Sequence, residues 1–230
     1  MRGWSQRLRE HPAIGGEYGF APILILILVS LSFQMAAPEA DWARFVTVAL
    51  QGVTLIVALH TAEAHHRLLR IGYAAVAVAL LGAAGALAGS GEPGTAAAKI
   101  VALMLVAGTP VAIGVTLVRQ VRTERAVTVR TMFGVLCIYL LIGMLFSFCF
   151  GAIDHVGLTP FFTNGAQHQS DFLYFSYATI TTTGYGDLIA ATNLGRSLAI
   201  TEALIGQIYL VTVVALIVGN LRPGRRVGDR

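Results

Sequence analysis

The chain has 230 residues, 56% of them hydrophobic and 12% charged, with a mean hydropathy of +0.72. A soluble domain of this length needs far more polar surface, so the composition is that of a membrane protein. The net charge of +4 is then no nucleic-acid footprint, and what matters is the side of the bilayer on which each basic residue falls.

The first segment, residues 1–19, carries Arg2, Arg7 and Arg9 with Trp4 and Leu8, a pattern that suits an interfacial helix. Six apolar stretches follow, each near the roughly 20 residues that a spanning helix needs. They cover residues 20–37, 45–62, 71–88, 100–118, 132–153 and 197–221. The first follows basic residues and precedes small ones, as a signal peptide would, but its apolar run exceeds a usual signal core. Cys137 and Cys149 lie twelve residues apart in the fifth stretch, about 120° apart around a helix. They read as small apolar fillers rather than a disulfide or metal pair.

Six spans put both termini on one face. Thirteen of the 16 Lys and Arg residues fall on that face, leaving Arg44, Lys99 and Arg196 on the other. This bias makes the terminal face cytoplasmic. Basic residues are almost all arginine, Lys99 being the one lysine, and alanine and glycine abound, which hints at a GC-rich bacterial genome.

The segment between the last two stretches therefore begins and ends outside. Residues 154–169 are polar and turn-rich, with Gly157, Pro160 and Gly165. Residues 171–180 read DFLYFSYATI, too short to cross a bilayer but enough for a helix reaching halfway. Asp171 suits the N-terminal end of that helix, where a carboxylate meets the positive pole of the dipole. Residues 181–187 then read Thr-Thr-Thr-Gly-Tyr-Gly-Asp.

That run resembles the Thr-Val-Gly-Tyr-Gly-Asp signature of the potassium channel family, with Thr183 in place of Val, in a bacterial six-span subunit with a two-helix pore module. The resemblance implies an all-α membrane protein: six transmembrane helices, a re-entrant pore helix and a selectivity filter, in a tetrameric channel. It implies potassium bound by Thr182, Thr183, Gly184, Tyr185 and Gly186, whose backbone carbonyls, with the Thr182 hydroxyl, replace the ion's water shell. Gly184 and Gly186 tolerate the backbone angles this requires. Asp187 is expected to brace the filter. Tyr185 should wedge it against neighbouring aromatics; related non-selective channels carry Asp there. Thr183 adds a hydroxyl behind the filter that needs a partner. A lone Gly-Tyr-Gly could be a polar turn, but here it follows a half-length helix between two spans.

The specific resemblance covers about residues 131–221. In the last span Gly206 falls at the family's hinge position, with close helix packing as its plainer role. Gln207, Leu210, Val214 and Val218 are candidates to line the inner cavity. Ala190 stands where the family commonly has proline. The pore helix should end near Thr181 with its negative pole toward the cavity. One filter motif per chain implies four identical chains around one pore. The expected organisation is a cytoplasmic segment (1–19), a four-helix sensor-like membrane domain (20–118), a cytoplasmic linker (119–130), the pore domain (131–221) and a cytoplasmic tail (222–230). The first four spans match the family only in number and length.

Voltage sensing needs charges inside the field, each worth about 2.3 kcal/mol per 100 mV. Arg119, Arg122 and Arg125 have three-residue spacing but lie past the fourth stretch, and counter-charges in the second and third are missing. They read as inside anchors. Glu202, within the last span, is costly unless paired or hydrated. It is expected to face protein or water behind the filter, either tuning the filter or serving as a hydrogen-bonded structural acid, with Arg44 and Arg196 as possible neighbours. His60, His65 and His66 with Glu63, and His155 and His168 near Asp154 and Asp171, are the possible pH or metal sensors, though solvated histidines are commoner. No nucleophile, metal set or phosphate loop suggests an enzyme. The expectation is passive potassium conduction in a multi-pass inner cell membrane protein, with membrane lipids and further copies of the chain as partners, potassium as permeant ion, no cofactor and no nucleic acid. The alternatives are a weakly voltage-dependent channel and a non-conducting regulatory subunit.

Overall fold

The computed structural model describes residues 20–38, 40–61, 66–87, 129–157, 159–166 and 168–220. Six helices are formed there: α1 (Ala21–Ala36), α2 (Asp41–Thr61), α3 (His66–Leu87), α4 (Val129–Val156), α5 (Gln169–Ile180) and α6 (Asn193–Asn220). The expected fourth span, most of the linker after it, the N-terminal segment and the tail lie outside the described residues.

α1 begins with Pro22 in its first turn, where the missing N–H is harmless. It ends when Ala37 turns extended ahead of Pro38. Ile23, Ile27, Ser30 and Gln34 form one buried stripe at helical spacing. This stripe packs on α2, α4 and α5, where Phe20, Ile23 and Ile27 meet Ala58, Cys137 and Leu141. Ile25, Leu28 and Val29 are exposed on its surface. Gln34 Nε2 donates to the Ser30 carbonyl at 3.2 Å and hydroxyl at 3.1 Å.

α2 and α3 pack closely along Val48, Leu55, Val76, Ala79 and Ala83. The close fit depends on Gly52, where a Cβ would lie 2.7 Å from Val76 Cγ1. His60 Nε2 and the Tyr73 hydroxyl are 2.9 Å apart, so this histidine is a helix-pairing group. Among the described residues no His, Cys, Asp and Glu set is arranged to hold a metal. Cys137 and Cys149 are both free thiols.

Trp42–Thr61 and Thr131–His155 are long and apolar enough to cross a membrane, whereas Ala21–Ala36 and Leu69–Ala84 are shorter apolar helices. Helices α2 to α4 and α6 begin three to five residues before the apolar stretches read from sequence. Hydropathy marks only the apolar part of a helix, and the polar end turns continue the same backbone.

α4 and α6 flank the short α5, which packs against both. An aromatic cluster joins the end of α4, the loop after it and the start of α5. Phe161 lies 5.0 Å from Phe150, 4.9 Å from Phe162 and 5.9 Å from Phe172 and Phe175, centroid to centroid. Asp154 Oδ1 accepts from the Phe161 N–H at 2.7 Å. An antiparallel bridge pairs Phe162 with Ala190, through Thr163 N–H to Ile189 O at 3.0 Å and Ala191 N–H to Phe161 O at 2.8 Å. The chain entering α5 and the chain leaving residues 181–187 are thus stitched together. Phe161→Ala should lower the unfolding stability of the purified protein by about 3–5 kcal/mol, read as an earlier denaturation midpoint in detergent.

Candidate functional site

α5 begins at Gln169, two residues before the start read from sequence, with His168 as its N-cap residue. Asp171, in the first turn, accepts from the His168 N–H at 3.1 Å and lies 3.3 Å from His168 Nδ1. Asp171 therefore does sit at the positive pole, with its carboxylate folded back onto the cap. His168 is occupied in this cap.

At the other end, the carbonyls that helix geometry leaves free are taken by the residues that follow. Thr181 N–H reaches Tyr177 O at 3.2 Å and Thr182 N–H reaches Thr179 O at 2.9 Å. Ala178 O accepts from both Thr183 N–H, at 2.9 Å, and Gly184 N–H, at 3.0 Å. Positive φ occurs at every second residue: Thr182 at 58°, Gly184 at 54° and Gly186 at 81°. Backbone that alternates between right- and left-handed values gathers successive N–H groups on one side and carbonyls on the other. Here the N–H groups of Thr181 to Gly184 are bonded to α5. Residues 181–187 are all exposed in the single chain.

For a β-branched residue the left-handed region costs on the order of 1–3 kcal/mol. Thr182 is held there from two sides. Its hydroxyl donates to Thr181 O at 2.7 Å and accepts from Gln207 Nε2 of α6 at 3.2 Å. Gln207, read from sequence as a cavity residue, is exposed and reaches the inner end of the segment. Leu210 is half-buried, and the side chains of Val214 and Val218 lie outside the described residues.

The extra hydroxyl of Thr183 finds its partner in Thr181. The two Oγ1 atoms are 2.9 Å apart, and Thr181 Oγ1 donates to Tyr177 O at 2.6 Å. With one hydrogen per hydroxyl, Thr183 is the donor to Thr181. Tyr185 stacks on Tyr174 of α5 at 6.0 Å and 10°, and the Asp187 side chain lies close to the Tyr174 hydroxyl. The segment is therefore backed by side chains of the same chain along its length.

Three further phenols lock the helices. Tyr139 hydroxyl donates to Ile180 O at 3.1 Å, Tyr177 to Leu140 O at 2.6 Å and Tyr209 to Val135 O at 2.8 Å. Sequence reading missed these tyrosines. Their signal was present: a phenol at membrane depth must find a partner. Gly206 is buried, and a Cβ there would lie 2.7 Å from the Ile180 carbonyl oxygen. In this structure it permits the close approach of α6 to the end of α5. Ala190 is buried in the bridge to Phe162, and Arg196 Nε donates to its carbonyl at 3.0 Å.

Glu202 is fully buried. It faces protein, with Oε1 hydrogen-bonded to Ser176 of α5. Among the described residues Oε2 has no hydrogen-bond partner, so neither Arg44 nor Arg196 takes the place suggested for it from sequence.

Residues 134–222 match the family model described as ion channel. That stretch begins within α4 and contains α5, the segment just described and α6. The match supports ion-channel function for this part of a membrane protein. No curated protein and no solved structure matches the chain.

Gly206→Val sets a branched side chain against backbone oxygen rather than a flexible side chain. The overpacking should cost about 1–3 kcal/mol and displace Gln207 from Thr182. The check is a thermal melt beside an ion-flux assay on equal amounts of protein, with both readouts falling together.

Proposed function

We propose that this chain is one subunit of a homotetrameric channel that conducts potassium passively and selectively across the cell membrane, with both termini cytoplasmic. The observation that carries this is the alternation of backbone handedness at Thr182, Gly184 and Gly186, with the N–H edge bonded to α5. A free edge of carbonyls is what a dehydrated cation needs. One chain supplies one such edge. Closing a ring of oxygens around an ion takes four copies. The exposed apolar residues of α6, Ile200, Leu204, Ile208 and Val211, suit a surface covered by neighbouring subunits or lipid.

In this reading residues 182–186 are the filter, and Tyr174, Tyr185 and Asp187 form its outer brace. Gly206 is the point at which α6 bends, because a glycine there lowers helix stiffness where α6 meets α5. Thr183 keeps a carbonyl in the row while its side chain stays behind it, bonded to Thr181. Conduction depends little on membrane potential, because the arginines past the fourth apolar stretch act as cytoplasmic anchors.

The test is purified protein in liposomes, with flux followed under potassium and then sodium gradients, with and without an imposed potential. Potassium flux should exceed sodium flux by at least tenfold, on the order of 1.4 kcal/mol of discrimination. Gly184→Val, which forces a β-branched residue to φ 54°, should abolish it. Equal flux of both ions would defeat selectivity, and flux persisting in Gly184→Val would place the ion path elsewhere.

A further inference from the structure

Ser176 Oγ stands between two oxygens. It lies 2.5 Å from the Gly143 carbonyl of α4 and within hydrogen-bond distance of Glu202 Oε1 of α6. A serine hydroxyl has one hydrogen, and a carbonyl only accepts. An ionised carboxylate also only accepts. With Glu202 ionised, one hydrogen would face two acceptors, and one of the two contacts would be lone pair against lone pair.

The surroundings give no help to a charge. Glu202 has 0% exposure, and Oε2 has no hydrogen-bond partner among the described residues. The titratable groups that feel Glu202 are Tyr139 and Cys149 of α4 and Tyr177 of α5, all neutral at ordinary pH. Among the described residues no cation offsets its burial. An unpaired charge in such a place is among the most expensive arrangements a protein holds.

We propose that Glu202 carries its proton in the working protein, and that this proton completes a Glu202 to Ser176 to Gly143 chain tying α6 and α5 to α4 behind the conducting segment. The acid donates to Ser176 Oγ, and Ser176 donates to Gly143 O. Every contact is then a hydrogen bond, and no charge is buried. Glu202 is a positioning residue: it is hydrogen-bonded to Ser176 of the helix to whose end Thr182, Thr183 and Gly184 are bonded. Removing the proton turns its donor into an acceptor and opens the chain, so conduction weakens as the medium becomes alkaline. This consequence for conduction rests on the channel reading above; the protonation itself does not.

The experiment has two arms. The first is the infrared difference spectrum of wild type and Glu202→Gln in lipid at neutral pH. A carboxylic-acid carbonyl band present only in wild type is expected, and a carboxylate pair in its place overturns the proposal. Should Glu202→Gln fail to assemble, Ser176→Ala shifts the same band by removing its acceptor, and an unshifted band overturns the chain. The second arm is potassium flux against pH. Glu202→Gln, whose amide still donates to Ser176, should keep flux within about threefold of wild type at neutral pH and lose the alkaline decline. A decline that survives in Glu202→Gln overturns the switch. Wild type without flux at any pH would sink the channel reading and leave the infrared result to decide the proton.

Discussion

Backbone that enters a membrane without being helix or closed barrel survives only where its polar groups are satisfied by protein or by a wetted cavity. In residues 181–184 it is the N–H groups that the protein satisfies. The last turn of α5 has carbonyls that its own helix cannot use, and the N–H groups of Thr181 to Gly184 take them. The site is in this sense a consequence of where a short helix stops.

The rest of the C-terminal half holds that helix end still. Tyr139 binds its last carbonyl, Tyr177 and Ser176 fasten its flank to α4, and Glu202 reaches it from α6. Two small residues make the contacts possible. Gly143 admits the Tyr177 ring, 3.1 Å from where a Cβ would be, and Gly206 admits Ile180. Phenol-to-carbonyl bonds suit this depth, because they satisfy the hydroxyl with a backbone oxygen that retains a second lone pair. Between α4 and α5, the phenylalanine cluster and the bridge between Phe162 and Ala190 close the loop back on itself.

α1 extends this scaffold to the N-terminal half. Its buried stripe lies on α4 and α5 as well as α2, and Met35, near its end, lines a recess with Tyr174, Tyr177 and Thr183. A helix expected from sequence to belong to a four-helix domain thus packs on α5 and lies beside Thr183 in its own chain.

Much of this was legible in the residues themselves. Apolar runs of spanning length reveal helices, and glycines at 184 and 186 after a half-length helix foretell the left-handed backbone found there, because composition and glycine placement are local properties. Asp171 at the start of α5 and the need of Thr183 for a partner follow from the same local rules. Which partner each polar group takes is not local. Gln207 reaches Thr182, and Ser176 rather than an arginine meets Glu202, because helices distant in sequence lie side by side. Sequence decides that such groups must be satisfied in a medium without water; only the packing of α4, α5 and α6 decides by whom.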